Sequence, residues 1–461
     1  MFAIAALGFL VLATLSITAS FLLTCHAWEH RRFTRGGFAI DRQARFVGRV
    51  GVIVPCKDID LKLKENLRCL FDQTYDNYEI YFVVERVQDP AWHIIRKLID
   101  SENHVTAHLI VAGQSFEQGQ KIHNLLCGYR SLAPDIQTIV FADCDVAPDR
   151  DWISRLTAPL QLVNVHAVSS YRWFSPQTNS FANFLLSSIN FSAMGLICSR
   201  RAPVIWGGSW AISRTVFRGA EIPLRWEGLL SDDLYATARI NQLRLNTYFQ
   251  PRCIVRSPID YSFSNMWEFL RRQCFMGRRY LPQRWIAGLA YTSLSMAAFW
   301  GGLLGGTSLA IAGRPQEGFA GIAVAAMLWA LNVIRARLQH QAAKLYMQNE
   351  YKNQQLARWF DFCCYPLSLT TLWWALLSVA FTRCISWRGI VYHLDRSGTV
   401  LRVERDNVPR NVEGPMLNSS SSNPSPSIVP EPEIPQLKLH IEEVQDNEPD
   451  VLITPSKRRA A

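Results

Sequence analysis

Hydrophobic residues follow two regimes along this chain. Phe2 to Cys25, Leu289 to Ala312, Gly318 to Ile334 and Cys363 to Thr382 are runs without a single charge, and the first is long enough to span a bilayer as a helix. Between about Arg45 and Tyr261, charge and hydrophobicity mix as they do in a water-exposed domain. There, short apolar runs alternate with helical patterns. Val50 to Val54 (VGVIV), bounded by Pro55, reads as a buried strand of a parallel sheet. Leu61 to Phe71 places its leucines close to one helical face, and Tyr78 to Val84 is a second strand that ends at Glu85. Pro90 opens a helix through Ile99, Val105 to Val111 is a third strand, and Gln118 to Leu132 is helical. Ile139 to Ala142 is the fourth strand, and Pro148 is placed to start the helix after it. Four alternations of strand and helix predict a doubly wound α/β sheet. The expected organisation is an anchor over residues 1–27, an α/β domain over 46–262, an arginine-rich interfacial helix over 263–285, a membrane region over 286–394 and a disordered tail over 404–461. The tail is inferred from its polar composition, with Asn418 to Pro435 rich in Ser, Pro and Asn.

Charge orients this arrangement. The first apolar run has no Lys or Arg before it, while Arg31, Arg32 and Arg35 follow it. That asymmetry predicts a retained anchor with the α/β domain on the cytoplasmic side. The net charge of +10 comes largely from arginines flanking apolar runs, so an anionic membrane surface, and not nucleic acid, is the expected partner. Eleven cysteines without a C-x-x-C fit a reducing compartment. Gly301, Gly302, Gly305 and Gly306 have the small-x-x-x-small spacing of helices packed in lipid. Three full crossings after a cytoplasmic domain would leave Ile385 to Leu394 outside, whereas Arg383 and Arg388 argue for inside. One segment, Leu289 to Ala312, is therefore expected to be re-entrant or interfacial.

The candidate chemistry starts at Asp143-Cys144-Asp145, directly after the fourth strand. In open α/β sheets ligands sit at the carboxyl ends of strands. Two carboxylates one residue apart call for a hard cation, of the kind that bridges protein oxygens to substrate phosphates; taken alone, the tripeptide is equally an acidic turn. Neither G-x-G-x-x-G nor a P-loop is present, so a bound nucleotide diphosphate would have to be held by metal and side chains. Gly207-Gly208 marks either a tight turn or a close approach to a ligand. Ser231-Asp232-Asp233 starts a helix, where Ser231 or Asp232 would serve as cap. In Trp267 to Trp285, Arg271 and Arg278, like Arg272 and Arg279, are seven apart and share a helix face; they suit either a basic membrane flank or a diphosphate.

In this order the motifs resemble the membrane-bound glycosyltransferase family 2, in its ceramide glucosyltransferase-like branch. The matching pieces are VIVPCKD (Val52 to Asp58), NYEIYFVVE with the following Asp89 to Ala91, QKIHNL (Gln120 to Leu125), GGSWAISR (Gly207 to Arg214), SDDLYA and ISWRGIVYHL (Ile385 to Leu394). The resemblance covers roughly Arg45 to Leu394. It implies a GT-A-type fold and an inverting transfer of a sugar from a nucleotide sugar, usually a UDP-sugar, to a lipid hydroxyl. Asp143 and Asp145 would hold Mg²⁺ or Mn²⁺ and the donor diphosphate, and Asp233 would be the general base. Glu85, Lys121, Arg272, Arg278 and Arg279 are the further donor-binding candidates. Two departures stand out. Glu85 occupies a position where the family has Asp, a role that Asp89 could take instead, and the family's Q-x-x-R-W is not intact in any register, so Arg278 or Arg279 is expected to supply the phosphate contact. A processive polysaccharide synthase and a non-catalytic nucleotide-sugar sensor are the rival readings.

Overall fold

A computed structural model describes residues 2–40, 48–198, 203–347, 351–352 and 354–405. The long helix α1 (Phe2–Ile40) leads into a domain that begins with β1 (Val50–Pro55), α2 (Leu63–Phe71), β2 (Tyr78–Val84), α3 (Pro90–Ser101), β3 (Ala107–Val111), α4 (Gln120–Arg130) and β4 (Thr138–Ala142). The predicted alternation is therefore present, with strand limits displaced by at most two residues. The helix expected at Pro148 starts later: α5 (Trp152–Thr157) follows Asp151, and the proline lies in the loop before it.

Next come β5 (Ala167–Ser169), β6 (Arg172–Pro176), α6 (Phe181–Ile197), β7 (Ser209–Ser213), α7 (Arg214–Gly219), α8 (Ile222–Trp226), α9 (Asp232–Gln242), β8 (Thr247–Phe249) and β9 (Val255–Ile259). The main sheet has the order β3-β2-β1-β4-β7-β5-β8. Its first four strands are parallel, whereas β7 runs antiparallel to both β4 and β5. A mixed sheet of this kind, with crossover helices on both faces, is a GT-A-like architecture. Alternate residues feed two cores. Ile53, Tyr81, Val83, Ile139 and Phe141 pack against Ile122, Leu125 and Leu126 of α4. Val52, Val54, Ile80, Phe82 and Val140 pack against Leu63 and Leu67 of α2 and Ile95 of α3. Burial on both faces is why these strands read as continuous apolar runs. Helix α4 lies so close to the sheet that a Cβ at Gly128 would come within 2.7 Å of Ile53.

The domain is followed by α10 (Phe263–Tyr280) and α11 (Pro282–Trp300), which passes through a π turn at Gly301–Gly305 into α12 (Gly306–Ile311), and then by α13 (Pro315–Tyr346). Among the described residues, three helical stretches are long and apolar enough to cross a bilayer: Ala6–Gly36, Pro282–Ile311 and Pro315–Leu345. These make the chain an integral membrane protein. Leu289 to Ala312, expected to be re-entrant or interfacial, lies mostly within the second stretch. The fourth apolar run forms the end of the helix Gln355–Cys363 and then Tyr365–Ser378, a helix of 14 residues, too short for a crossing. With that run removed from the count, two candidate spans follow the α/β domain, an even number compatible with Ile385 to Leu394 lying on the domain's own side. Cys384–Trp387, Ile390–Leu394 and Val400–Arg405 form an antiparallel sheet, β10-β11-β12. This segment belongs to the catalytic side of the protein, and Glu404 and Arg405, assigned above to the tail, end its last strand. The remainder of the predicted tail, residues 406–461, lies outside the described residues.

The membrane glycines pack helix against helix. A Cβ at Gly302 would meet the carbonyl oxygen of Gly321 at 2.5 Å, and one at Gly306 would meet that of Gly318 at 2.6 Å, whereas Gly305 faces open space. Gly306→Leu should therefore separate α12 from α13 and cost about 1–3 kcal/mol or more, as overpacking does, while Gly305→Leu should be tolerated. Thermal melting of the detergent-solubilised variants checks this, and equal melting points would refute the packing role.

Candidate active site

The carboxyl ends of β1 and β4, the amino end of α4 and the start of α9 converge on one cavity of about 490 Å³. β4 delivers Asp143, Cys144 and Asp145; β1 delivers Cys56, Lys57 and Asp60; α4 brings Lys121; α9 brings Asp232 and Asp233. The aromatic core sets the position of α9: Phe141 stacks on Trp210 at 4.3 Å, and the indole of Trp226 donates to the Asp232 carbonyl at 3.1 Å.

Charge is concentrated here. The Lys121 ammonium lies 2.9 Å from Asp143 Oδ1 and 3.2 Å from Asp232 Oδ1. Burial works against its charge, yet Asp143, Asp232 and Asp233 outweigh that and hold it well above the ordinary lysine value. Burial pushes the Asp232 carboxyl up to about 7; Lys121 opposes this, while Asp233 and Asp143 add to it. Asp145 is pushed up to about 6 by burial and by the neighbouring Asp143 and Asp60. Asp233 is held on both oxygens: Oδ2 accepts from the Gly207 amide at 2.9 Å, and Oδ1 from the Ser231 hydroxyl at 2.8 Å and the Leu234 amide at 2.7 Å. Ser231 thus orients Asp233 and makes no side-chain cap of its own. The glycine pair is a close approach. A Cβ at Gly207 would meet Lys121 Nζ at 2.6 Å, and one at Gly208 would come within 3.0 Å of Asp143 Oδ2.

The remaining candidates divide. Arg272 lines the cavity, its guanidinium 5.2 Å from the Phe269 ring centre and 4.9 Å from that of Trp387, and burial holds it down to about 10. Arg278 and Arg279 turn away from it. Arg278 donates to the carbonyls of Val379 and Thr382 at 2.5 and 3.0 Å, and Arg279 to that of Thr382 at 2.9 Å, so both satisfy backbone beyond the helix Tyr365–Ser378. Glu85 sits beside the cavity in ion pairs with Lys57 at 2.9 Å and Arg405 at 2.6 Å. Burial opposes its charge, but Lys57 and Arg405 hold it below the usual carboxylate value. Asp89 caps α3 through the Ala91 amide and also accepts from the Asp58 amide, both at 2.9 Å. Sequence reasoning did not single out Asp60, took Asp232 only as a helix cap, and used Trp387 only as a letter of a motif and Arg388 only as that and as a charge bearing on topology. The available signal was position: VIVPCKD ends the first strand as TIVFADCD ends the fourth.

The donors fit a divalent cation completed by substrate. Asp143 and Asp145 offer hard oxygen ligands, and buried Asp145 Oδ1 has no hydrogen-bond partner. Among the described residues, no group of three or more His, Cys, Asp or Glu side chains forms a protein-only metal cage. Mg²⁺-type sites commonly take one or two carboxylates and fill the rest with phosphate oxygens and water.

The same cavity is also lined by Leu186, Ile189, Leu196, Leu270, Leu372 and Leu376, from α6, α10 and the helix Tyr365–Ser378. The GT-A-like sheet carries an acidic pair after its fourth strand, and Asp232 and Asp233 open α9 beside it. The sequence profile of glycosyl transferase family 21 matches residues 10–400, and the chain belongs to that family. It is 28% identical over 100 residues to ceramide glucosyltransferase 1 of Caenorhabditis elegans, a match covering 22% of each chain. It is 30% identical over 82 residues to ceramide glucosyltransferase 3 of the same organism, covering 18% of each. The matched segments thus span about a fifth of these relatives. Among solved structures, the mannosyltransferase PcManGT from Pyrobaculum calidifontis in complex with GDP-Man and Mn²⁺ is similar with a TM-score of 0.41 at 16% identity, over 79% of this chain and 98% of that one. The S. aureus TarS fragment 1–349 with UDP-GlcNAc gives 0.34 at 11%, over 78% and 100%.

Because Asp232 keeps its proton more tightly when folded than its usual value near 3.8, its contribution to stability is present at acid pH and lost as pH rises through about 7. Asp232→Asn, which mimics the protonated acid, should gain thermal stability relative to wild type as pH rises from 5 to 8 without divalent cations. A melting-point difference independent of pH would refute this.

Proposed function

We propose that the protein transfers a sugar, with inversion, from a nucleoside-diphosphate sugar such as a UDP-sugar to the hydroxyl of a membrane lipid such as ceramide. One observation carries the reading: a single cavity is lined both by clustered carboxylates and cations and by leucines. A charged diphosphate and an aliphatic acceptor would meet there, with Asp233 among the residues lining the space. The α/β domain would face the cytoplasm, on the side of Arg31, Arg32 and Arg35. A single lipid acceptor needs no polymer channel, which disfavours the processive synthase reading.

In this mechanism Asp143 and Asp145 would hold Mg²⁺ or Mn²⁺, which when bound would supply the positive charge that favours departure of the diphosphate. Arg272 presents the phosphate-matching guanidinium that was expected of Arg278 or Arg279, and Lys121, 2.9 Å from Asp143 and 3.2 Å from Asp232, holds both carboxyl groups in place. Glu85 and the Lys57 next to it border the donor's end of the cavity. Asp233 accepts the proton of the lipid hydroxyl as that oxygen attacks the anomeric carbon. The bond from that carbon to the diphosphate breaks, and the electron pair leaves with the nucleotide. Fixing Asp233 from both oxygens keeps it within reach of the hydroxyl, the geometric requirement for a general base.

Asp233→Asn should lower sugar transfer from UDP-sugar to extracted lipids by about 10²–10⁴-fold while leaving nucleotide binding intact. Turnover equal to wild type would remove the base assignment, and binding without turnover in the wild type would favour a sensor. In chelator-treated wild type, Mn²⁺ at a hundred times its Kd should raise folding stability by about 2.7 kcal/mol. Asp145→Asn should abolish that rise in melting temperature, and an undiminished rise would place the metal elsewhere.

A further inference from the structure

The incomplete arginine-tryptophan motif of α10 has a counterpart at the other end of the chain. β10 and β11 are joined by Arg388-Gly389, with Trp387 paired to Ile390 across the turn. Both turn residues have positive φ, 50° at Arg388 and 72° at Gly389, the form a two-residue hairpin favours. Glycine suits the second position. An arginine in the left-handed region is uncommon, and held strain of this sort concentrates at functional sites. The hairpin is fixed against the catalytic domain: Tyr392 is buried, and its hydroxyl accepts from the Gln120 amide at 3.2 Å, next to Lys121.

The tip enters the cavity. Arg388 Nη2 donates to both oxygens of Asp60 at 2.8 Å, and Nη1 donates to the Lys57 carbonyl. Among the described residues its Nε–H has no hydrogen-bond partner, although a guanidinium carries five donors. Trp387 supplies the ring over which the Arg272 guanidinium lies. An arginine on a tryptophan, absent as a sequence pair in α10, is thus assembled from two segments on either side of the membrane helices.

We propose that the Trp387–Arg388 tip completes the donor site. Arg388, oriented by Asp60, gives its remaining donors to the donor's diphosphate, and Trp387 is a positioning residue that holds Arg272 against the same group. This rests on the cavity being a nucleotide-sugar site. A mere tie between hairpin and domain would need no guanidinium on the cavity wall beside Asp145, and the guanidinium donors that Asp60 and Lys57 leave over match phosphate oxygens.

The test uses the full chain in detergent with Mn²⁺ held constant, titrated with UDP and with uridine. Arg388→Gln should weaken UDP at least tenfold and leave uridine unchanged, and Arg388→Lys, which keeps the charge, should recover part of the loss. Trp387→Leu should weaken UDP alone in the wild-type background, yet add nothing to Arg272→Gln. Retained uridine affinity certifies that each variant is folded. Unchanged UDP affinity in Arg388→Gln, or an equal loss of UDP and uridine, would overturn the proposal and leave the hairpin a structural tie. Additive losses for Trp387→Leu and Arg272→Gln would overturn the positioning role. A wild type that binds UDP no better than uridine would overturn the nucleotide-sugar reading itself, and this proposal with it.

Discussion

The crowding of Asp60, Asp143, Asp145, Asp232 and Asp233 into one largely buried cavity is the constraint on which the rest of this structure depends. Carboxylates removed from water repel one another and lose hydration, so each needs a fixed cation, a backbone donor or a proton. Lys121 neutralises Asp143 and Asp232; Gly207 and Leu234 amides hold Asp233; Arg388 holds Asp60. Asp145 keeps an oxygen without a partner, which is where the arrangement is open to a cation. The glycine pair and the rigid aromatic packing behind α9 follow from the same requirement, because amides and acids must approach within hydrogen-bond distance without an intervening side chain.

The second organising feature is that membrane and catalytic elements are interleaved. Helix α10 runs from the domain to the first crossing after it, and its Tyr280 hydroxyl accepts from the Leu230 amide at 2.8 Å while donating to the Gly398 carbonyl at 2.7 Å. One phenol thus links the approach to α9, the entry to the membrane and the terminal sheet. Helix α6, apolar along most of its length, adjoins both α10 and the short helix Tyr365–Ser378. The leucine wall of the cavity is built from these elements, so the polar chemistry and the apolar approach to it share one set of helices.

Much of this was legible beforehand, for local reasons. A strand buried on both faces must be apolar throughout, so β1, β2 and β4 announced themselves, and the acid pair after β4 fell where a sheet of this type binds ligands. The failures have a common cause. Arg272, Arg278 and Arg279 lie on one helix within a few residues, and periodicity grouped them into faces without saying which face met the cavity. Arg278 and Arg279 proved to serve the carbonyls of Val379 and Thr382, a partner no local pattern reveals. Pro148 suited a helix start, but the chain from Ala147 is tied to Arg256 by a backbone hydrogen bond of 2.8 Å, and α5 begins only after that constraint ends. The short helix Tyr365–Ser378 read as a crossing because its composition is membrane-like, whereas its 14 residues are too few to cross and it packs against α11 as well as α6 and α10.

By itself, the sequence determined the alternation of strand and helix, the apolar spans, the positions of Asp143, Asp145 and Asp233 and the family resemblance, because periodicity, turn chemistry and contiguous motifs are local properties of the chain. Tertiary structure alone decided that Lys121 stands between Asp143 and Asp232, that Arg272 and not Arg278 or Arg279 reaches the cavity, and that Trp387 and Arg388 return from beyond the membrane helices to join it. Those facts depend on helix rotation and on contacts between residues hundreds of positions apart, where the free energy of burying charge, and not any local propensity, selects the partner.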